Sequence, residues 1–282
     1  MTKGELRLVR CRDCGMIYLA ELATPFADGS YYQAEAAPFY LSEDKLRGDF
    51  SPARYRREIR LLRRHGPAGR VLDVGCSTGG FLYHLNQTFP GAYQIYGMDV
   101  PSEATRHAEQ KGIRVLPGSF LELQEPQFDA ITFWAVLEHV AAPKDFLSQA
   151  KRLLHPGGIC LVLVPNIRSL AVRILGSKYR YILPQHINYF SLETLARLVE
   201  SAGLRVIRKT TTHFNPAVIW QDRRSSTGLV SDEDRARLLG QTNALKEHKA
   251  LGPLRLAYAA AEKMLGFAGL ADNAVIVARC EA

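Results

Sequence analysis

Asp73, Gly75, Ser77 and Gly79 alternate along the stretch LDVGCSTGG, and Asp99 closes a second apolar run downstream of it. Glycines let a backbone turn sharply and approach a ligand with no Cβ in the way. The N–H groups that open a following helix then face that ligand. A carboxylate ending the next strand suits the two hydroxyls of a ribose. The dinucleotide fingerprint G-x-G-x-x-G is absent, so a nicotinamide enzyme is disfavoured. Glu138-His139 and His186 supply acid–base side chains, and histidine titrates close to neutrality. Cys11-Arg12-Asp13-Cys14-Gly15 is half of a zinc-ribbon site. Structural zinc needs four ligands, yet no second C-x-x-C lies nearby and the first histidine is His65. No zinc is expected there. A redox role has less support still, since no thioredoxin-like unit surrounds the pair.

These residues need a frame. Arg70 to Val74 predicts a strand, and Phe81, Leu85 and Phe89 recur at helical spacing after the small-residue turn. Gln94 to Met98 predicts a second strand. A helix with Ser102 as its cap follows and ends at Gly112. Ile113 to Leu116 predicts a third strand, with Ser119 and Phe120 beyond its end, and Phe128 to Phe133 a buried fourth. Pro143 opens a helix, and Pro156-Gly157-Gly158 turns into a fifth strand over 159–164. Ser191 caps a further helix ended by Gly203. Leu204 to Lys209 and Ala274 to Ala278 complete the set. Strands alternating with helices predict an α/β fold, a Rossmann-like, mostly parallel seven-stranded sheet with helices on both faces. Right-handed crossovers put the strand C-termini on one edge, where Gly75, Asp99, Ser119 and Trp134 meet.

With 282 residues, 47% of them hydrophobic, the chain can bury a sizeable core. Lys plus Arg exceed Asp plus Glu by 36 − 28 = 8. That balance favours anionic partners. The excess is scattered, and its densest part, Arg54, Arg56, Arg57, Arg60, Arg63 and Arg64, reads as a solvated helix face beside a Tyr55, Ile59, Leu62 stripe. No continuous basic tract or RNA-binding module argues for nucleic acid. Neither a signal-peptide core nor a run of eighteen apolar residues is visible, so no spanning helix is expected. Five cysteines do not form a disulfide framework, which points to a reducing cytoplasmic setting.

Taken together, LDVGCSTGGFL, IYGMDVPSEA, FDAITFWAVLEHV, LLHPGGICLVLVPN and PQHINYFSLETLARLVESAGL resemble the class I S-adenosylmethionine (SAM)-dependent methyltransferases. The nearest likeness is to the small-molecule branch with the ubiquinone-type O-methyltransferases and enzymes of sugar and natural-product pathways. It covers about residues 52 to 212, and Ser77 stands where the family's motif has its middle glycine. The resemblance implies SAM as cofactor, with contacts at Asp73, Gly75, Cys76, Ser77, Gly79, Asp99, Val100, Ser119, Phe120, Trp134 and Ala135. It implies a methyltransferase core over 51–212, closed by a last strand within 271–282. Residues 1–50 form an N-terminal extension with a single C-x-x-C, and 213–270 a helical insertion or lid. The acceptor is expected to be a small molecule. The arginines and tyrosines of 167–190, Arg180 among them, suit an anionic or ring-shaped one. His186 is the expected acceptor-side base, with His139 as the other candidate. One subgroup of relatives holds a divalent metal on E-x-x-E-H and a downstream histidine. Here Ala135 replaces the first glutamate, which argues against a metal, since hard ions favour several oxygen ligands.

Overall fold

Val71 and Leu72 are both fully buried, yet adjacent residues of a strand point to opposite faces. Val71 packs with Ile59, Leu62, Phe81 and Leu85, whereas Leu72 packs with Phe133, Leu147, Val162 and Ile276. Leu161 and Val162 divide in the same way. A sheet buried on both faces, as the apolar runs require, is the result.

The computed structural model describes residues 1–35, 37–124, 127–224 and 252–281. In chain order the elements begin with β1 (Thr2–Lys3), β2 (Leu6–Arg10) and β3 (Ile17–Leu19). Helices α1 (Thr24–Ala27), α2 (Ser30–Ala34), α3 (Ala37–Tyr40), α4 (Glu43–Asp49) and α5 (Arg56–His65) follow. Next come β4 (Gly69–Val74), α6 (Gly80–Thr88), β5 (Tyr93–Met98), α7 (Ser102–Gln110) and β6 (Arg114–Val115). Then come β7 (Phe128–Trp134), α8 (Pro143–Leu153), β8 (Leu154–Pro165) and α9 (Leu170–Leu175). The rest are β9 (Asn188–Tyr189), α10 (Leu192–Ser201), β10 (Arg205–Thr212), α11 (Pro216–Arg224), α12 (Gly252–Phe267) and β11 (Asn273–Arg279).

The main sheet has seven strands in the order β10-β11-β8-β7-β4-β5-β6. Strands β8, β7, β4, β5 and β6 are parallel, while β11 runs antiparallel to both β8 and β10. The C-terminal ends therefore share an edge in the parallel part, with β11 the exception. The fifth predicted strand starts earlier than the glycines suggested. Leu154 already pairs with Phe128, and the Pro156-Gly157-Gly158 stretch is carried as an irregularity in that register.

A second sheet, β1-β2-β3-β9, takes its last strand from the connector after β8, through Ile17 opposite Tyr189 and Tyr18 opposite Asn188. Residues 1–50 are thus tied to the connector that follows β8. Leu8, Leu19, Val172, Ile182, Ile187 and Tyr189 bury one another beneath this sheet. Of the lid expected over 213–270, α11 and α12 are helical, and 225–251 lies outside the described residues. Among the described residues no helix is long and apolar enough to cross a membrane.

The arginine-rich α5 is more than a solvated face. Arg57 donates to Thr212 Oγ1 (2.8 Å) and to Glu262 Oε1 (2.6 Å) on α12. Glu58, buried with Ile59 and Leu62, accepts from His213 Nε2 at 2.9 Å. Burial pushes its carboxyl up, but the hydrogen bond and charge of His213, with Arg54, carry it from 4.5 down to about 2. A depressed pKa stabilises the fold fully above the unfolded value, and that stabilisation is lost as pH falls from 4.5 through about 2. The advantage of the parent over Glu58→Gln is expected to be on the order of 2–3 kcal/mol at about pH 6 and to shrink steadily below about pH 4.5. Urea titrations of both proteins across that range measure it; a difference that stays flat refutes the coupling.

Candidate active site

The turn after β4 is built on alternate left-handed residues. Gly75, Ser77 and Gly79 have φ of 75°, 50° and 83°. Gly75 N and Cys76 N both donate to Met98 O, at 2.8 and 3.0 Å, and Gly79 N donates to Cys76 O at 2.9 Å. Ser77 N donates to Asp99 Oδ2 at 2.6 Å, and Val100 N to Asp99 Oδ1 at 2.7 Å. Asp99 thus holds the turn from the end of the neighbouring strand. Burial raises its pKa, against the two backbone donors and the positive charge of Lys45.

Neither outer glycine could be alanine. A Cβ on Gly75 would meet Val136 Cγ2 at 2.5 Å, and one on Gly79 would meet Ile113 Cδ1 at 2.1 Å and Ala108 Cβ at 3.0 Å. Gly79 is therefore set by the packing of α6 against the end of α7 as much as by room for a ligand. Ser77 keeps the left-handed backbone a glycine would take freely, at a cost of about 1–2 kcal/mol. Its Oγ, with Thr78 Oγ1 and Trp134 Nε1, is buried without a hydrogen-bond partner among the described residues. Three orphaned polar atoms around one turn are what a polar ligand would satisfy.

Some residues expected to bind the cofactor act from behind the cleft. Cys76 is buried, with its Sγ where a Cβ on Gly97 would fall, and both its backbone groups are engaged. Its side chain packs inside the turn. Phe120 turns its ring into the core against Phe133 and Phe146, and its carbonyl accepts from Gln149 Nε2 at 3.0 Å. Asp73 is buried under the turn, accepts from Thr132 Oγ1 at 2.6 Å, and is pushed by burial to about 8 despite that hydrogen bond. Val100 and Ala135 are exposed, and Ala135 holds φ 59° as the chain leaves β7. A left-handed alanine at a strand end marks strain beside a site.

The turn after β7 brings the acid–base residues in. Val136 abuts Gly75, and Glu138, His139 and His186 then lie together, each offering a ligand-type atom within 4.8 Å of the others. The His139 and His186 rings stand edge to face at 4.6 Å, and Tyr181 stacks on His186 at 6.0 Å. Backbone staples make this possible. Ile187 N and Asn188 N donate to Glu138 O at 2.8 and 3.0 Å, while Asn188 Nδ2 donates to Leu137 O and Val140 O at 3.2 and 2.8 Å. His186 is 5% exposed and His139 is the more open of the two. Arg180, by contrast, is buried on Asp222 and Gln221, so it cannot meet an acceptor.

Helices of the N-terminal extension come up to these residues. Tyr32 Oη lies 2.7 Å from His139 Nδ1, and Gln185 Nε2 donates to Tyr31 Oη at 3.2 Å. Tyr40 on α3 feels the charge of Asp99 and the hydroxyls of Tyr32 and Tyr31; burial first, then these, raise its phenol well above the usual range. No spacing in the sequence ties Tyr31 or Tyr32 to His139, or singles out Asn188 or Gln185 within its block.

A methyltransferase-domain family model matches residues 48–209, more than half of the chain. The chain belongs to that family. It resembles the ubiquinone biosynthesis O-methyltransferase of Dinoroseobacter shibae, 35% identical over 162 residues, which are 52% of this chain and 64% of that enzyme. The namesake from Cereibacter sphaeroides is 31% identical over 188 residues, 60% of this chain and 74% of that enzyme. In three dimensions a SAM-dependent methyltransferase from Archaeoglobus fulgidus matches with TM-score 0.52 at 20% identity, covering 86% of this chain and 96% of that one. A phosphoethanolamine N-methyltransferase of Haemonchus contortus in complex with SAM matches with TM-score 0.56 at 15% identity, covering 94% and 62%. The protein is a SAM-dependent methyltransferase with the class I fold.

The orphaned polar atoms and the half-buried Asp99 fit SAM. Asp99→Ala removes the support of Ser77 N and, if Asp99 binds the ribose as the motif implies, the acceptor for its hydroxyls. The affinity for SAM is expected to fall about tenfold to a hundredfold, the loss of about 1.5–3 kcal/mol from a charged hydrogen bond. Calorimetry of parent and variant decides; equal affinities remove Asp99 from the site.

Proposed function

We propose that this methyltransferase moves a methyl group to an oxygen of a small ring-bearing or anionic molecule, and that the Glu138–His139–His186 cluster takes up the acceptor's proton. The observation that carries the reading is position. Glu138 and His139 sit on the turn whose Val136 packs against Gly75, and His186 joins them from the connector after β8, which supports a single cleft for the cofactor turn and the acid–base residues. Bound SAM supplies a methyl on a sulfonium, open to in-line displacement. What remains for the protein is to align the acceptor, exclude water and remove a proton.

The residues divide that work. Asp99 and the Gly75–Gly79 turn hold the nucleoside end. Tyr31, Tyr32 and Tyr181 form an aromatic wall along the histidines, suited to a ring. The exposed Arg173 and Lys178 on the connector give an anionic acceptor something to approach. The named O-methyltransferase relatives support an oxygen acceptor, and the five free thiols suit a reducing cytoplasmic setting.

His139→Ala and His186→Ala each break the same cluster. Either variant is expected to lower kcat by roughly 10²–10⁴ while SAM affinity stays nearly intact. The measurement is release of S-adenosylhomocysteine with a panel of phenols, catechols and hydroxy acids. A parent-level kcat in either variant contradicts the proposed role of the cluster.

A further inference from the structure

Arg64, His65, Arg208 and Arg279 gather at the end of the main sheet away from the cofactor turn. Helix α5 ends at His65, just before β4 begins at Gly69, whereas Gly75 and Asp99 follow the far ends of β4 and β5. Arg279 closes β11, opposite Arg205 of β10 and opposite Ile159 in the first half of β8. The β10 register slips between Val206 and Arg208, so Arg208 rather than Ile207 stands opposite Val277. A bulge of this kind re-aims side chains. Val277 packs with Ile59 and Leu62 of α5. Arg208, its partner across the strands, and Arg279, two residues along, therefore share the face that α5 covers. Arg279 Nη2 lies 3.5 Å from His65 O and joins the strand to the helix end.

This gathering of charge is not answered inside the fold. Among the described residues none of Arg64, Arg208 and Arg279 has a carboxylate within ion-pair distance. Glu281, two residues past Arg279, is taken by Arg205. Arg279 Nε and His65 Nε2 are buried, with no hydrogen-bond partner among the described residues. Buried polar atoms normally find one. Burial lowers the pKa of His65, and the charges of Arg208, Arg64 and Arg279 lower it further. The C-terminus of α5 offsets only about half a unit of charge against three guanidinium groups.

We propose that Arg64, His65, Arg208 and Arg279 bind the phosphate group of a small phosphorylated ligand, at a site separate from the methyl-transfer cleft. Guanidinium forks match phosphate oxygens two at a time. The orphaned Arg279 Nε–H and the His65 ring add donors from the protein side, since a neutral imidazole still donates from one nitrogen. Arg64 and Arg208 are exposed, so an anion reaches them from solvent. Two buried donors in one cluster select a single phosphate group, whereas a nucleic-acid strand is read by charges spaced along its backbone. SAM carries no phosphate, and the proposal rests on none of the methyl-transfer reading.

The test is calorimetric titration of the whole chain with inorganic phosphate and with pyrophosphate, first without SAM and then at saturating SAM. The expected result is one pyrophosphate per chain, bound more tightly than phosphate and unaffected by SAM. Arg64→Gln, Arg208→Gln and Arg279→Gln each weaken it about tenfold or more, the loss of one charged hydrogen bond. Arg106→Gln, an equal change of charge at an exposed position on α7, leaves it within about twofold. Proton NMR supplies a second readout. The His65 imidazole, assigned through His65→Gln, titrates at higher pH with pyrophosphate bound, because the anion offsets its cationic neighbours. Circular dichroism identifies any variant that does not fold; the exposed Arg64 and Arg208 then decide. No saturable binding at about 150 mM salt, an equal loss in Arg106→Gln, displacement by SAM, or a His65 titration that does not move overturns the proposal. So does binding of an oligonucleotide by a chain that takes up neither phosphate nor pyrophosphate. None of these outcomes bears on methyl transfer, which is read by S-adenosylhomocysteine release.

Discussion

The carboxylate of Asp99 holds the backbone that everything else in the cleft depends on. Ser77 N reaches Asp99 Oδ2 at 2.6 Å, and this bond pins a non-glycine residue at a left-handed φ of 50°. Without that anchor, a turn with three left-handed residues in five keeps only its backbone bonds to Met98 O and Cys76 O. With it, Gly75 is pressed against Val136, and the turn after β7 is placed by that contact. The position of Glu138 and His139 therefore follows from the shape of the cofactor turn. One packed contact links the nucleoside end of the site to its acid–base end.

Burial of charge is concentrated where the chain needs it. Asp73 near the end of β4 and Glu138 on the turn after β7 are both driven up to about 8 by burial. Asp73 is answered by Thr132 inside the sheet, so its role ends there. Glu138 has no such answer among the described residues, and the imidazoles of His139 and His186 are its neighbours. Elsewhere the buried charges are paired across the fold, Glu58 with His213 and Arg180 with Asp222. Those pairs fix α5 to the end of β10 and the connector to α11, and they keep the walls of the cleft in place.

The sheet was legible because its signal is local. Strand runs, the glycine turn and Asp99 are adjacent in sequence, and period and turn chemistry report them directly. Seven strands with helices on both faces follow from those runs. The antiparallel course of β11 and the early start of β8 do not, because both are set by pairing partners far away in the chain. The same limit applies at the site. Gly75, Ser77, Gly79 and Asp99 stand where the motif puts them, but Cys76 and Phe120 pack the core, a difference of side-chain direction that spacing cannot register. His139 and His186 were seen as rival bases, whereas the staples from Asn188 make them neighbours in one cluster. Tyr32 comes from the opposite end of the chain, more than a hundred residues before His139, and only the tertiary fold brings it there.

A crystal structure with S-adenosylhomocysteine bound tests the shared cleft most directly. The expected result is ribose hydroxyls on the Asp99 carboxylate, with the sulfur facing the side where Glu138, His139 and His186 converge. Nucleoside density away from Asp99, or a sulfur turned from that cluster, would contradict it.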